Sequence, residues 1–258
     1  MKRKLIQWPE AKYWDKPWNP IIGCRPVSPA CEHCYAKRIV ERFNTTGICA
    51  PGFAPTETGR VNPPRKGVVF CGNMTDLFGE WVPIQTQFSF FSALWHFPEP
   101  HSGPRPNEAT YLFLTKRVER MCKAISNYTE IPHAYFGFTA ENQEWFDKRR
   151  EAIYHDVPSR ANLWISAEPL LGEIDSLFLG NFVAGNRLKW CVVGCESGPG
   201  RRPCKMEWVE SIVEECQQYG VPVFVKQLDI GGKCVTDIDQ FPEHLRIRQV
   251  PWKKEDEE

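Results

Sequence analysis

Three cysteines stand close together near the start of the chain, in C-R-P-V-S-P-A-C-E-H-C-Y: Cys24, Cys31 and Cys34. Cys31 and Cys34 have the C-x-x-C spacing that lets two thiolates share one metal centre. Cys24 lies upstream, with Pro26 and Pro29 stiffening the chain between. Several chemistries are open to such a loop. A zinc ion would ask for a fourth protein ligand, for which His33 and Cys49 are candidates. No second C-x-x-C follows at finger spacing. A thioredoxin-like redox pair would use Cys31 and Cys34 and leave Cys24 without a task. A [4Fe-4S] cluster on three thiolates would keep one iron open to a ligand. Gly23, Ala30 and the start of a following helix would then supply its walls and N–H donors. Cysteines used only as small hydrophobes are the plainest alternative. They fit poorly with three thiols in one proline-rich loop.

Six other places carry reactive side chains, each just after an apolar run. They are Gly72, Asn73 and Asp76; Thr115, Lys116 and Arg117; Thr139, Glu141 and Asn142; Ser166 and Glu168; Glu196 and Ser197; and Lys226 with Gln227. The runs before them read as strands: Gly67–Asn73, Thr110–Thr115, Ala134–Thr139, Asn162–Ser166, Lys189–Gly194 and Val221–Lys226, preceded by a first strand at Pro20–Cys24. Helical patterns lie between them, at Glu32–Phe43, Ile84–His96, from about Val118, at Gln143–His155 and at Met206–Tyr219. In the last, Val209, Ile212, Val213 and Cys216 share one face, and Gly220 is a natural stop. Asn44–Lys66 and Phe97–Ala109 read as loops, and Leu171–Asn186 as irregular or briefly helical.

Strands alternating with helices predict an α/β fold with a mostly parallel sheet. Six or seven units favour a full or partial (β/α) barrel with parallel strands over a doubly wound sheet. In such folds the carboxyl ends of the strands converge on the site. The gathered polar residues are then candidate ligands of a substrate, although Thr115 and Asn142 would also serve as helix caps.

The chain has 258 residues and reads as one domain. Lys plus Arg and Asp plus Glu are 32 each, so bulk charge does not hold it to nucleic acid, and only a local patch could. No apolar run is long enough for a bilayer, and Met1–Trp8 lacks the apolar core of a secretory signal. The expectation is a cytoplasmic protein with no membrane partner. Its eleven cysteines then point to metal or redox chemistry rather than to a disulfide framework. Cys71, Cys195 and Cys204, near strand ends, would be packing residues or a second reactive set. The charged tail Lys253–Glu258 is expected to be disordered.

Taken in order, several blocks resemble the radical S-adenosylmethionine (SAM) superfamily. They are W-N-P-I-I-G-C (Trp18–Cys24), C-E-H-C-Y-A (Cys31–Ala36), N-M-T-D-L-F (Asn73–Phe78), L-T-K-R (Leu114–Arg117), A-E-N-Q (Ala140–Gln143), S-A-E-P-L-L-G (Ser166–Gly172), G-C-E-S-G-P-G-R-R-P (Gly194–Pro203) and V-K-Q (Val225–Gln227). The chain is more closely similar to a small, often phage-encoded group of radical-SAM-like proteins of poorly defined function. It departs from the commonest signature in its longer first gap, and in having His33 before the last cysteine with Tyr35 after it.

The resemblance implies a radical SAM type barrel and a [4Fe-4S] cluster on Cys24, Cys31 and Cys34. The open iron would chelate the amino and carboxylate groups of SAM. Reductive cleavage would then give a 5′-deoxyadenosyl radical that takes hydrogen from substrate. Gly72 and Asn73 would orient the SAM amino group. Thr139 and Glu141 would lie near the ribose, with Ser166 and Ser197 also on the cofactor side. Lys116 or Arg117 would pair with the carboxylate, and His33 and Tyr35 would flank adenine or cluster. Glu168, Glu196 and Lys226 would face the substrate, a small molecule, a nucleoside or a base in nucleic acid. A reductant protein such as a flavodoxin or ferredoxin would supply the electron. Separately, G-C-E-S-G-P-G-R-R-P could cradle a phosphate on Arg201 and Arg202, or simply be a tight connection. The competing classes are a non-catalytic zinc or cluster-binding module and a zinc-dependent barrel hydrolase. The latter lacks an H-E-x-x-H or comparable pair.

Overall fold

The computed structural model describes residues 6–43, 53–95, 108–126, 133–156, 161–174 and 188–252. Cys49, the tail from Lys253 and most of the Leu171–Asn186 stretch lie outside the described residues, as do parts of the two predicted loops.

Buried apolar runs make the sheet. Its strands are β2 (Lys16–Trp18), β5 (Lys66–Cys71), β6 (Glu108–Thr115), β7 (Ala134–Thr139), β8 (Asn162–Ala167), β9 (Leu188–Gly194), β10 (Val223–Ile230) and β11 (Lys233–Val235). They lie in the spatial order β11-β10-β9-β8-β7-β6-β5-β2. All neighbours are parallel except β10 and β11. Residue runs such as V-V-F and C-V-V are buried on both sides, which parallel strands covered on two faces require. The sheet curls into a half-barrel whose edges, β2 and β11, do not pair. The full barrel is thus not formed, and the partial one is.

The first predicted strand is displaced. Ile21–Ile22 (β3) leaves the sheet and pairs antiparallel with Thr56–Glu57 (β4). The edge of the sheet is instead Lys16–Trp18, where Pro17 is tolerated because an edge strand has only one neighbour. Trp18 is buried and supplies the apolar anchor. At the other edge, Gly231 and Gly232 both take positive φ and turn β10 into β11.

One sheet face packs on α2 (Ile84–Trp95), α3 (Val118–Ile125), α4 (Gln143–Asp156) and α5 (Met206–Tyr219) through the main apolar core. On α5 the buried face is Val209, Ile212, Val213 and Cys216, and left-handed Gly220 returns its N–H to the last carbonyls. The remaining helix, α1 (Tyr35–Phe43), starts later than the expected Glu32, because Pro29–Cys31 forms a separate 3-10 turn.

The other face holds a second cluster from alternate strand residues: Phe70, Leu112, Trp164, Trp190, Val192 and Phe224. The first and last described segments cover this face. Ile6–Gln7 (β1) pairs with Gln249–Val250 (β12), and Tyr13 and Trp252 pack on Trp190 at 5.0 and 4.8 Å between ring centroids. Buried Arg248 binds the carbonyls of Pro9, Val225, Lys226 and Thr236 and so ties these layers together.

Trp164 fits here because residue 137 on the neighbouring strand is glycine. A Cβ at Gly137 would lie 2.3 Å from the indole, which is fixed by a hydrogen bond from its Nε1 to the Phe113 carbonyl. Gly137→Ala should therefore cost about 1–3 kcal/mol by overpacking. Urea denaturation measures it; an unchanged midpoint would mean that the indole has room to move.

Candidate active site

The cysteine loop runs from Gly23 to Cys34 across the carboxyl ends of the strands. Its entry is fixed by backbone: Gly23 N–H donates to Met74 O and Cys24 N–H to Phe53 O, both at 3.0 Å. Gly23 has φ +102, and a Cβ there would strike the Ala54 carbonyl. Thr75 Oγ1 donates to Gly23 O.

Two guanidinium groups hold the rest of the loop. Arg117, after β6, donates to Arg25 O at 3.0 Å while pairing with Asp76 and Glu80, and its plane lies over Trp81. Arg202, after β9, donates to Pro29 O at 3.0 Å while pairing with Glu196 and Glu32. Asp76 also accepts from the Thr115 hydroxyl and the Lys116 N–H. These forks are charge-assisted and planar, so they set direction as well as attraction.

All three thiols are half-buried and free, and all line one cavity of about 130 Å³. Its walls include apolar Ala36, Phe53 and Met74, together with Gly72, Asn73 and Thr115. Burial, with Asp76 nearby, pushes the Cys24 thiol up to about 12. At neutral pH it keeps its proton until a cation replaces it. A second cavity of about 460 Å³ adjoins the first. The two share Cys34, Tyr35, Lys116 and Thr139 as wall residues. The larger one also reaches His33, Ser166, Glu168, Glu196, Ser197 and Lys226.

A family model described as protein of unknown function (DUF5131) matches residues 8–244. The chain belongs to this family. No curated protein and no solved structure matches it. The match spans the cysteine loop, both arginine clamps and both cavities.

In this DUF5131 chain most of the expected site residues meet at the two cavities, but their tasks differ. Asn73 accepts from Asn19 through its side chain and from the Tyr35 hydroxyl through its carbonyl, at 2.7 and 2.6 Å. Lys116 reaches only the Thr139 hydroxyl, at 3.4 Å, and forms no ion pair among the described residues. Lys226 pairs with Glu168 at 2.5 Å, and Gln227 braces the same carboxylate. His33 contacts Pro199 O at 3.4 Å. Asn142 caps α4 by accepting from the Trp145 N–H.

Three expectations change. Arg117 borders the small cavity, but its guanidinium is occupied by Asp76, Glu80 and the cysteine loop; Lys116 is the cation left facing both cavities. Glu141 lines neither cavity. It is fully buried against Arg149, with the Ser28 hydroxyl of the cysteine loop among the groups that lower its pKa. The G-P-G-R-R-P stretch is not an open phosphate cradle, because Arg201 is paired with Asp229 and Arg202 with Glu196. Its glycines serve close approach instead: a Cβ at Gly198 would collide with the Arg38 guanidinium, and one at Gly200 would crowd His33.

The sequence reading passed over Tyr13, Trp14 and Lys12, which line the larger cavity from the N-terminal side. They follow none of the apolar runs, so the strand-end rule could not find them.

Among the described residues no three His, Cys, Asp or Glu side chains converge as a single bound ion would require. No helix among them is long and apolar enough to cross a membrane.

Burial alone would raise the Glu141 carboxyl, but the hydrogen bond and charge of Arg149 outweigh it and hold the group below its ordinary value of 4.5. A depressed carboxyl contributes stability that is full above the unfolded value and lost as pH falls through the folded one. Glu141→Gln should lose that contribution and leave the Arg149 charge unpaired, at about 3–5 kcal/mol at pH 7. The deficit should shrink as pH drops below about 4.5, the ordinary value. Urea midpoints at pH 7 and pH 4 test this; equal deficits at both would remove Glu141 from the acid response.

Proposed function

We propose that this chain is a radical SAM enzyme, with a [4Fe-4S] cluster in the small cavity and substrate in the larger one. The observation that carries the reading is that Cys24, Cys31 and Cys34 share one cavity wall, at its junction with a larger cavity lined by strand-end polar groups. The donor set suits the group. Three thiols face a partly apolar chamber that, among the described residues, no other cysteine and no histidine lines, whereas structural zinc asks for four converging protein ligands.

When bound, cluster and SAM together supply reductive cleavage of the sulfonium bond and a 5′-deoxyadenosyl radical. The protein's own part is positioning and exclusion. Lys116, uncompensated at the junction, would take the SAM carboxylate as a point charge. Asn73, fixed through Asn19 and Tyr35, presents its polar groups beside the thiols. Phe70 and Leu114 keep the junction apolar and limit water. Glu168 and Lys226 hold each other in the substrate cavity and orient a polar group there.

Protein purified without oxygen should contain iron and acid-labile sulfide at about four each per chain. With SAM and a strong reductant it should form 5′-deoxyadenosine. Cys31→Ala should lose both the iron and this product, and Lys116→Ala should keep the iron but raise the SAM requirement about tenfold or more. Stoichiometric zinc without SAM cleavage would overturn the proposal in favour of a zinc-binding module.

A further inference from the structure

The larger cavity carries more cations on its wall than its carboxylates pair. Glu168 is matched by Lys226, and Glu196 by Arg202. The ammonium groups of Lys12 and Lys116 are left over. Neither has a carboxylate partner among the described residues. Lys116 reaches only the Thr139 hydroxyl, at 3.4 Å, and Lys12 lies over the Trp14 ring, 4.3 Å from its centroid. An indole face attracts a cation without neutralising it. The chamber therefore offers a guest net positive charge, and its low-dielectric walls concentrate that field.

The two cations stand in different places. Lys116 follows β6 and borders both cavities, beside the thiols. Lys12 borders the larger cavity and not the small one, from the segment laid across the sheet. That segment is pinned on both sides of Lys12. Trp8 Nε1 donates to the Lys12 carbonyl at 2.9 Å. The Tyr13 ring is wedged against Trp190 and Phe224, at 5.0 and 5.4 Å between centroids. Asp15 exchanges hydrogen bonds with the Val68 backbone, at 2.8 and 2.7 Å. The ammonium itself rests on Trp14, which lines the same cavity. Lys12 is thus an exposed lysine with a fixed backbone and a seat for its side chain.

Excess cations select an anion, and the donor chemistry narrows it further. Among the described residues no arginine lines the chamber, so the planar fork that matches a carboxylate is missing there. An ammonium is a point charge, and its attraction grows with the charge of its partner, so a phosphate dianion gains more from it than a carboxylate does. Phosphate also brings strong acceptor oxygens, and the same wall carries the Ser197 and Thr236 hydroxyls as donors. The volume, about 460 Å³, is within the range for small-molecule sites.

We infer that the larger cavity binds a small phosphate ester, with Lys12 as the residue that holds the phosphate. This rests on the proposed function only in leaving Lys116 to the SAM carboxylate.

The test is calorimetry on the anaerobically purified protein at low salt, with ribose 5-phosphate as the probe, each run made alone and with saturating S-adenosylhomocysteine. Ribose is the uncharged counterpart and succinate the carboxylate one. Ribose 5-phosphate should bind at one per chain in both conditions, and more weakly as salt is raised. Ribose should not bind, and succinate should bind about tenfold more weakly or worse. Lys12→Gln should weaken ribose 5-phosphate about tenfold, and Lys12→Arg, which keeps the charge, should retain most of the binding. Lys148→Gln, at an exposed position on α4, should leave it unchanged. No binding of ribose 5-phosphate at millimolar concentration, equal binding of ribose or succinate, or undiminished binding in Lys12→Gln would overturn the inference. So would full displacement by S-adenosylhomocysteine, because the anion site would then be the one at Lys116. Ribose 5-phosphate binding as expected without any S-adenosylhomocysteine binding would support this inference while removing the radical SAM reading.

Discussion

The cysteine loop has almost no regular structure of its own, so its position over the strand ends depends on the two arginines that clamp it. Arg117 reaches in from the end of β6 and Arg202 from the loop after β9, which are three strands apart in the sheet. Each binds one loop carbonyl, and each is itself fixed by carboxylates. Asp76, Glu80, Glu196 and Glu32 are therefore as much a part of the thiol geometry as the cysteines are. A loop attached only at its ends would leave three thiols free to drift. Anchored at Arg25 and Pro29 between them, it presents them to one chamber.

This arrangement also explains a neutral chain with strongly charged strand ends. The exposed arginines of a nucleic-acid surface are not what these residues are. Their charges cancel locally, and the guanidinium forks work as directional hydrogen-bonding braces. Buried pairs of this kind contribute little net stability, since desolvation offsets much of the attraction. What they contribute here is placement. Lys116 stands out against that background as a cation at the cavity junction without an anionic partner among the described residues.

The sheet was largely legible because its signals are local. Continuous apolar runs gave six of the eight strands, and the 3.6-residue period with Gly220 gave α5 from Met206 to Tyr219. The edges were not legible from apolar runs. Lys16–Trp18 is short and carries a proline, and only the burial of Trp18 marks it as a strand. The β10–β11 turn did leave a signal, the Gly231–Gly232 pair, which is the sequence of a tight hairpin. The site was legible as a list of places but not of tasks. Lys116 and Arg117 are adjacent in L-T-K-R, and alternation along the chain end sends one towards the cavities and the other into the clamp. Glu141 and Glu168 both follow strands, yet one is buried beneath the loop and the other lines the chamber. Such divisions depend on partners distant in sequence, Arg149 for one and Lys226 for the other.

The half-barrel leaves its inner face without the ring of strands that would close it. Segments near both ends take that part. The segment from Ala11 to Trp14 and the strip from Arg248 to Trp252 lie across the aromatic layer formed by Phe70, Trp164, Trp190 and Phe224. The same contacts that keep water from this layer bring Tyr13 up beneath the polar strand ends. An open sheet thus gains a wall that a closed barrel would have to take from another strand. The cysteine loop is thus held from the strand ends, and the wall of the larger cavity is completed by the segment laid across the sheet.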